Sequence, residues 1–261
     1  MTAKAKTNTT AGAAIYVPIL LRYIYDPVVL GFYCPQAWRI TSKSMREFFN
    51  RHIASASARS QLHNLCETPG ALSPCRILDI GVGTGYFLKH APIAAGSEVF
   101  LADLNPAALA AAKARTLDAH PQTTCETSVA DFLDPVGKGL CRKDLGGGDF
   151  DAISVMMLLH CVPGPPSKKA EALTRLRHLL APGGTLFGMT ILGRGVRHNL
   201  LGRRLMFWHN LLGVFGNAED DVEGIVGPLM EVFETVKWEV CGTMLLFEAS
   251  TPKTPDVGEV Y

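Results

Sequence analysis

Leu78-Asp79-Ile80-Gly81-Val82-Gly83-Thr84-Gly85-Tyr86 is the stretch on which the reading of this chain turns. Three glycines at alternate positions follow a short apolar run, 76–80, that reads as a strand. Without Cβ atoms the backbone can turn sharply there and let a ligand approach closely. A helical pattern over 86–94 begins at once, so unpaired amide groups open at the same place. Strand, glycine turn and helix in that order form the first crevice of a doubly wound sheet, where such folds take nucleotides.

The glycine spacing and the acid before it discriminate among nucleotides. A dinucleotide loop of the form G-x-G-x-x-G wants its third glycine where Tyr86 stands, and Gly85 comes one residue early. Asp79 precedes the loop, and a pyrophosphate would meet that carboxylate as like charge. A methionine moiety carrying an ammonium group would not. The pattern D-x-G-x-G-x-G therefore suits S-adenosylmethionine better than NAD.

Working outward, a second strand over 98–102 leads into Asp103-Leu104-Asn105. A carboxylate at that strand end can accept from both hydroxyls of an adenosine ribose, in NAD as well as in S-adenosylmethionine. Asn105 reads as the N-cap of an alanine-rich helix over 106–119, with Pro106 in its first turn. A third, more polar strand over 123–130 ends at Asp131-Phe132. Asp131 can accept from an adenine amino group with Phe132 packed on the ring, or it can be a turn or N-cap residue. The fourth strand, 150–159, is apolar throughout, as a strand covered on both faces should be.

Ser167 reads as the cap of a helix to about residue 180, broken by Ala181-Pro182-Gly183-Gly184. A fifth strand over 185–191 and helices over 199–214 and 218–230 follow. Two closing strands, 231–240 and 243–250, are joined by Cys241-Gly242 as a hairpin. The expected fold is α/β: a doubly wound, mostly parallel seven-stranded sheet with one antiparallel strand. The expected division is a disordered lead at 1–14, a helical cap or lid at 15–70, a cofactor-binding domain at 71–250 and a flexible tail at 251–261.

Composition narrows the partners. The chain has 261 residues, 48% of them hydrophobic, enough for a large core in one domain. Charged residues make up 19% and the net charge is +1, so no electrostatic footprint for nucleic acid appears. The expected partner is a small molecule. The 7 cysteines include no Cys-x-x-Cys pair, which favours reduced thiols in a cytoplasmic protein and gives no metal-ligand spacing. The apolar stretch 15–34 is interrupted by Pro18, Arg22, Asp26 and Pro27, which argues against a spanning helix, and no membrane partner is expected.

The ordered segments LDIGVGTGYFL, LADLN, ADF, FDAISVMMLLHCVPG and LLAPGGTLFG resemble the motifs of class I S-adenosylmethionine-dependent methyltransferases, over roughly residues 75–250. The segments YDPVVLGFYCPQAWRI and ILGRGVRHNLLGRRLMFWHNLLGVFGN are similar to small microbial and fungal methyltransferases of specialised metabolism. The resemblance implies that Asp79, Gly81, Gly83 and Gly85 shape the cofactor pocket. It implies that Asp103, with Leu104 beside it, takes the ribose and that Asp131 and Phe132 take the adenine. Met156 falls where the fourth strand meets the cofactor in this fold.

Methyl transfer needs alignment and exclusion of water more than an acid–base set, because the cofactor carries the hard chemistry. His160, just after the fourth strand, is the candidate catalytic base; the alternative is a histidine that bonds a loop carbonyl. His198 and His209 are 11 residues apart, which on one straight helix brings them within about 20° of the same face. They are candidate acceptor contacts, unless the arginines around them mark a solvated helix face. Tyr25 and Trp38 are the two aromatic residues chosen as pocket walls. Two other readings stay open at this point: an NAD(P)-dependent oxidoreductase, and a cofactor-binding protein that does not transfer methyl.

Overall fold

The computed structural model describes residues 21–66, 73–134 and 136–254, and for 21–27 and 63–66 the backbone alone. The expected disordered lead and the last residues of the tail lie outside that set. Seven strands form one sheet: β1 (Arg76–Ile80), β2 (Glu98–Asp103), β3 (Thr124–Val129), β4 (Phe150–Met156), β5 (Leu180–Ile191), β6 (Phe233–Cys241) and β7 (Met244–Pro252). Their order is β3-β2-β1-β4-β5-β7-β6. Only β7 runs against its neighbours, pairing antiparallel with both β5 and β6. This is the expected sheet with its single reversed strand, closed by a hairpin.

Seven helices accompany it among the described residues: α1 (Leu21–Trp38, wound in wide turns), α2 (Ser42–Cys66), α3 (Tyr86–Lys89), α4 (Pro106–Ala119), α5 (Pro166–Arg175), α6 (Leu200–Leu211) and α7 (Val222–Val232). Two cores result from the alternation of side chains along buried strands. Leu78 and Ile80 face one, with Ile153, Val155, Leu173, Ile225 and Leu229. Ile77 faces the other, with Leu101, Ala152, Phe187 and the α2 residues Met45, Phe49 and Ile53. Within the region expected to form a cap, α2 thus lies on the sheet, and α1 packs beside α6.

Several boundaries differ from the sequence reading, each for a local reason. The helix expected to reach residue 94 stops at Lys89, where His90 ends it two residues before Pro92. The fourth strand stops at Met156, three residues short of the expected end. Met157 takes a left-handed φ of 57° and the chain enters a tight turn at Leu159–Cys161. Ser167 caps nothing: α5 begins at Pro166, one residue earlier. The helix expected from 218 starts at Val222, because Asp221 accepts from the Gly224 amide at 2.8 Å and fixes the start there. Helix α6 stops at Leu211, short of the expected 214. Ala181–Gly184 leaves the ladder as an excursion inside β5, between the pairs Phe150–Leu180 and Ala152–Thr185. The polar third strand is polar because it is the edge of the sheet.

Candidate active site

The carboxyl ends of β1, β2, β3 and β4 open on a cavity of about 340 Å³. Its walls come from two sources. One half is built by the glycine turn and the strand ends: Ile80, Gly81, Gly83, Asp103, Leu104, Asn105, Asp131 and Phe132. The other half is apolar and aromatic, built by α1, by the loop after β4 and by the chain after α6.

The glycine turn is shaped as its spacing requires. Gly81, Gly83 and Gly85 have φ of 75°, 51° and 70°, which favour glycine. A Cβ on Gly81 would meet the Leu158 side chain at 2.8 Å, so this glycine lets the loop after β4 close over the turn. A Cβ on Gly85 would lie 2.9 Å from the Ala112 backbone, so Gly85 serves the close approach of α4 and does not line the cavity. A Cβ on Gly83 would meet nothing within 4 Å and would project into the hollow. That open cradle, with a carboxylate at its rim, fits a nucleoside with a charged amino-acid tail.

Asp103 stands at the end of β2 and receives the Asn105 amide at 2.9 Å. Burial raises its pKa, and backbone amides of Asn105, Gly83, Leu104 and Val82 oppose that rise. Asp131 is a turn residue, one of the two roles weighed for it, and it stands at the cavity. Its Oδ1 accepts from the Leu133 amide at 2.9 Å in a turn, and the residue also lines the cavity beside Phe132. Asp79 sits behind the turn, buried, and accepts from the Ser154 hydroxyl. Burial pushes its carboxyl up to about 7, partly offset by that bond. Met156 belongs to the core, and its neighbour Met157 lines the cavity instead. Met156 is the last residue of β4 and packs into the core, and the chain turns toward the cavity only at Met157.

In the apolar half, His160 and His209 flank one ring. Phe215 meets the His160 ring edge-on at 4.8 Å and stacks on His209 at 4.6 Å. His160 lies 3.4 Å through Nδ1 from the Thr190 hydroxyl. Burial, then the charge of Lys169 and the neighbouring His209 ring, lower its pKa to about 3, so it is a neutral imidazole at working pH. His209 donates through Nδ1 to the Leu205 carbonyl at 2.7 Å. That bond leaves Nε2 as the lone-pair nitrogen.

Trp38 lines the cavity and is buried, as expected of it. The side chain of Tyr25 lies outside the described residues. His198 does not line the cavity. It precedes α6, which Asn199 caps, so the helical spacing that paired it with His209 does not apply. Its Nε2 bonds the Leu192 carbonyl at 2.9 Å and its ring packs edge-on against Trp38 at 5.8 Å.

The sequence reading missed Val29, Tyr33, Val162, Val214 and Phe215 as cavity walls. It also missed a buried polar network behind Phe215. Lys169 Nζ donates to the Gly216 carbonyl at 2.8 Å and to both oxygens of Asp220 at 2.8 and 2.6 Å, with neither charged side chain exposed. Asn217 donates to the Ile191 carbonyl at 2.8 Å. A legible mark existed in Gly213-Val214-Phe215-Gly216-Asn217, an aromatic residue between glycines just past a helix. Lys169 had none, since Ser167-Lys168-Lys169 reads as a solvated helix start.

A family model described as "Methyltransferase domain" matches residues 78–186. The "Physcion biosynthesis cluster O-methyltransferase" of Aspergillus chevalieri is 34% identical over 248 residues, covering 95% of this chain and 98% of the relative. "Methyltransferase verB" of Penicillium polonicum is 34% identical over 256 residues, covering 92% and 98%. Among solved structures, the DhpI–SAH complex aligns with a TM-score of 0.53 at 16% identity, over 96% of this chain and 100% of that one.

Proposed function

The chain belongs to the S-adenosylmethionine-dependent methyltransferases, and from that premise we propose that it methylates an oxygen of a small, largely apolar acceptor in specialised metabolism. One observation carries this reading. The half of the cavity away from the glycine turn is walled by Val29, Trp38, Val162, Ile191, Val214 and Phe215. Such walls suit a flat hydrophobic molecule and offer little to a sugar or a polymer. The relative from Aspergillus chevalieri, named as an O-methyltransferase, supports oxygen as the receiving atom.

In the cofactor half, Asp103 takes the ribose hydroxyls, Asp131 and Phe132 take the adenine, and Gly83 leaves room for the tail. Asp79 supplies the negative charge toward the ammonium group. When bound, the cofactor supplies a methyl group already activated by its sulfonium, so the protein has to align the acceptor, keep water out and receive one proton. His209 is the residue to receive it: its Nδ1–H is engaged by the Leu205 carbonyl, which leaves Nε2 free to accept, and the residue lines the cavity. His160, held neutral by burial, hydrogen-bonds the acceptor and orients it.

The test is a methyl-transfer assay over a panel of phenolic, aliphatic and sugar hydroxyls, with wild type and His209→Gln. Phenolic acceptors should turn over. The variant should lose roughly 10²–10⁴-fold in kcat, while its affinity for S-adenosylhomocysteine stays within about twofold. Transfer to sugars alone would overturn the acceptor class. An unchanged kcat would remove His209 from the chemistry.

A further inference from the structure

The outer face of α6 is unlike the rest of the surface. Leu200, Phe207, Trp208 and Leu211 on the helix, and Leu212 just after it, are between 56% and 68% exposed. Leu200, Phe207 and Leu211 recur at i, i+7 and i+11 and form one stripe, with Arg204 inside it and Arg203 at its side. The helix carries no acidic residue. Val28 and Phe32 on α1, which packs beside α6, are exposed as well. Five large apolar side chains held in water along one short helix are an anomaly that a binding role explains.

We infer that this face rests on an anionic lipid surface, with the apolar side chains in the headgroup boundary and Arg203 and Arg204 against lipid phosphates. The composition is that of a helix lying in a membrane interface: Trp, Phe and Leu beside arginine, at modest length. Among the described residues no helix is long and apolar enough to cross a membrane, so the contact is peripheral. Charge decides between occupants. A second copy meeting this face by a two-fold axis would bury Arg203 and Arg204 against a helix that carries no acid to pair them. An anionic bilayer pairs them directly.

The location gives the contact a use. His209, on α6, and Val214 and Phe215, just beyond it, are cavity walls, as are Val29 and Tyr33 on α1. The exposed residues are their sequence neighbours: Trp208 beside His209, Val28 beside Val29 and Phe32 beside Tyr33. A surface that seats this face therefore brings lipid close to the apolar half of the cavity. A hydrophobic acceptor dissolved in lipid reaches the cavity without crossing water. This use rests on the proposed acceptor class; the surface contact does not.

Vesicle flotation of the full chain tests the contact without cofactor or acceptor. Vesicles of phosphatidylcholine with phosphatidylserine should carry the protein up, and pure phosphatidylcholine should carry much less. Phe207→Ser with Leu211→Ser should weaken binding by at least roughly tenfold. Arg203→Gln with Arg204→Gln should remove a preference of roughly thirtyfold for the anionic vesicles. Retained binding of S-adenosylhomocysteine by the variants shows that they are folded. Flotation with neither vesicle overturns the inference. So does a dimer that the Phe207→Ser, Leu211→Ser variant dissociates, which assigns the face to a second copy. Flotation gained only on deleting residues 1–20 also overturns it, because the chain's own apolar residues 15–20 are then the occupant.

Discussion

Asp79 shows how much one buried carboxyl can decide. Burial raises its pKa from an ordinary 3.8 to about 7. The folded state thus holds this proton more tightly than the unfolded chain does. The stability it contributes is fully present below pH 4 and is lost as pH rises through 7. Asparagine has no proton to lose. Asp79→Asn should therefore gain stability over the wild type between pH 5 and pH 8, on the order of 2–4 kcal/mol, in denaturant melts of the free protein. The same variant should bind S-adenosylmethionine more weakly, because the ammonium group loses its countercharge. A variant that melts in parallel with the wild type at both pH values would show that Asp79 is ionised throughout. At this scale the sequence spoke clearly where geometry is local. The glycine turn, Asp103 and the Asp131-Phe132 pair were legible because backbone spacing alone places them. His198 was misplaced because its role depends on where a helix starts, two residues beyond it.

Elements were legible in kind and order, less so at their ends. Apolar runs and Asn105 fixed β1, β2, α4 and the start of β4 almost to the residue. The end of β4 was not visible, since Met157-Leu158-Leu159 stays apolar while the backbone turns. The second half of the cavity was largely invisible for the same reason. It is assembled from α1, the loop after β4 and the chain past α6, which are remote in sequence. Its rigidity comes from an ion pair that no local pattern announces. Lys169, on α5, fastens Gly216 and Asp220 and so holds the segment that carries Phe215. Burial pulls the lysine down and the aspartic acid up toward neutrality, and their mutual attraction opposes both. Lys169→Met should cost roughly 3–5 kcal/mol in urea unfolding, because it leaves Asp220 buried and unpaired. Adding Asp220→Leu should recover most of that loss. If the single variant is as stable as the wild type, the pair does not brace this wall.

At the scale of the whole molecule, the sheet, its two cores and the cavity at its carboxyl edge act as one body. A ligand that binds only the folded form should therefore raise the melting point of the entire chain. S-adenosylhomocysteine at about a hundred times its Kd should add ~2.7 kcal/mol, a shift of roughly 5–10 °C for a domain of this size. NADH at equal concentration should leave the melt unchanged. A shift with NADH alone would contradict the reading of the glycine turn.

Among the described residues, Gly83 and Phe215 line one and the same hollow, so the proposed nucleoside and acceptor sites are continuous. A single compound that tethers an adenosine to a hydrophobic phenol through a short linker would occupy both halves at once. Its second half would bind at the effective concentration the linker imposes, millimolar or above. Inhibitors of this chain are thus best built as chimeras: the adenosine supplies anchorage common to its relatives, and the phenol supplies selectivity for this protein.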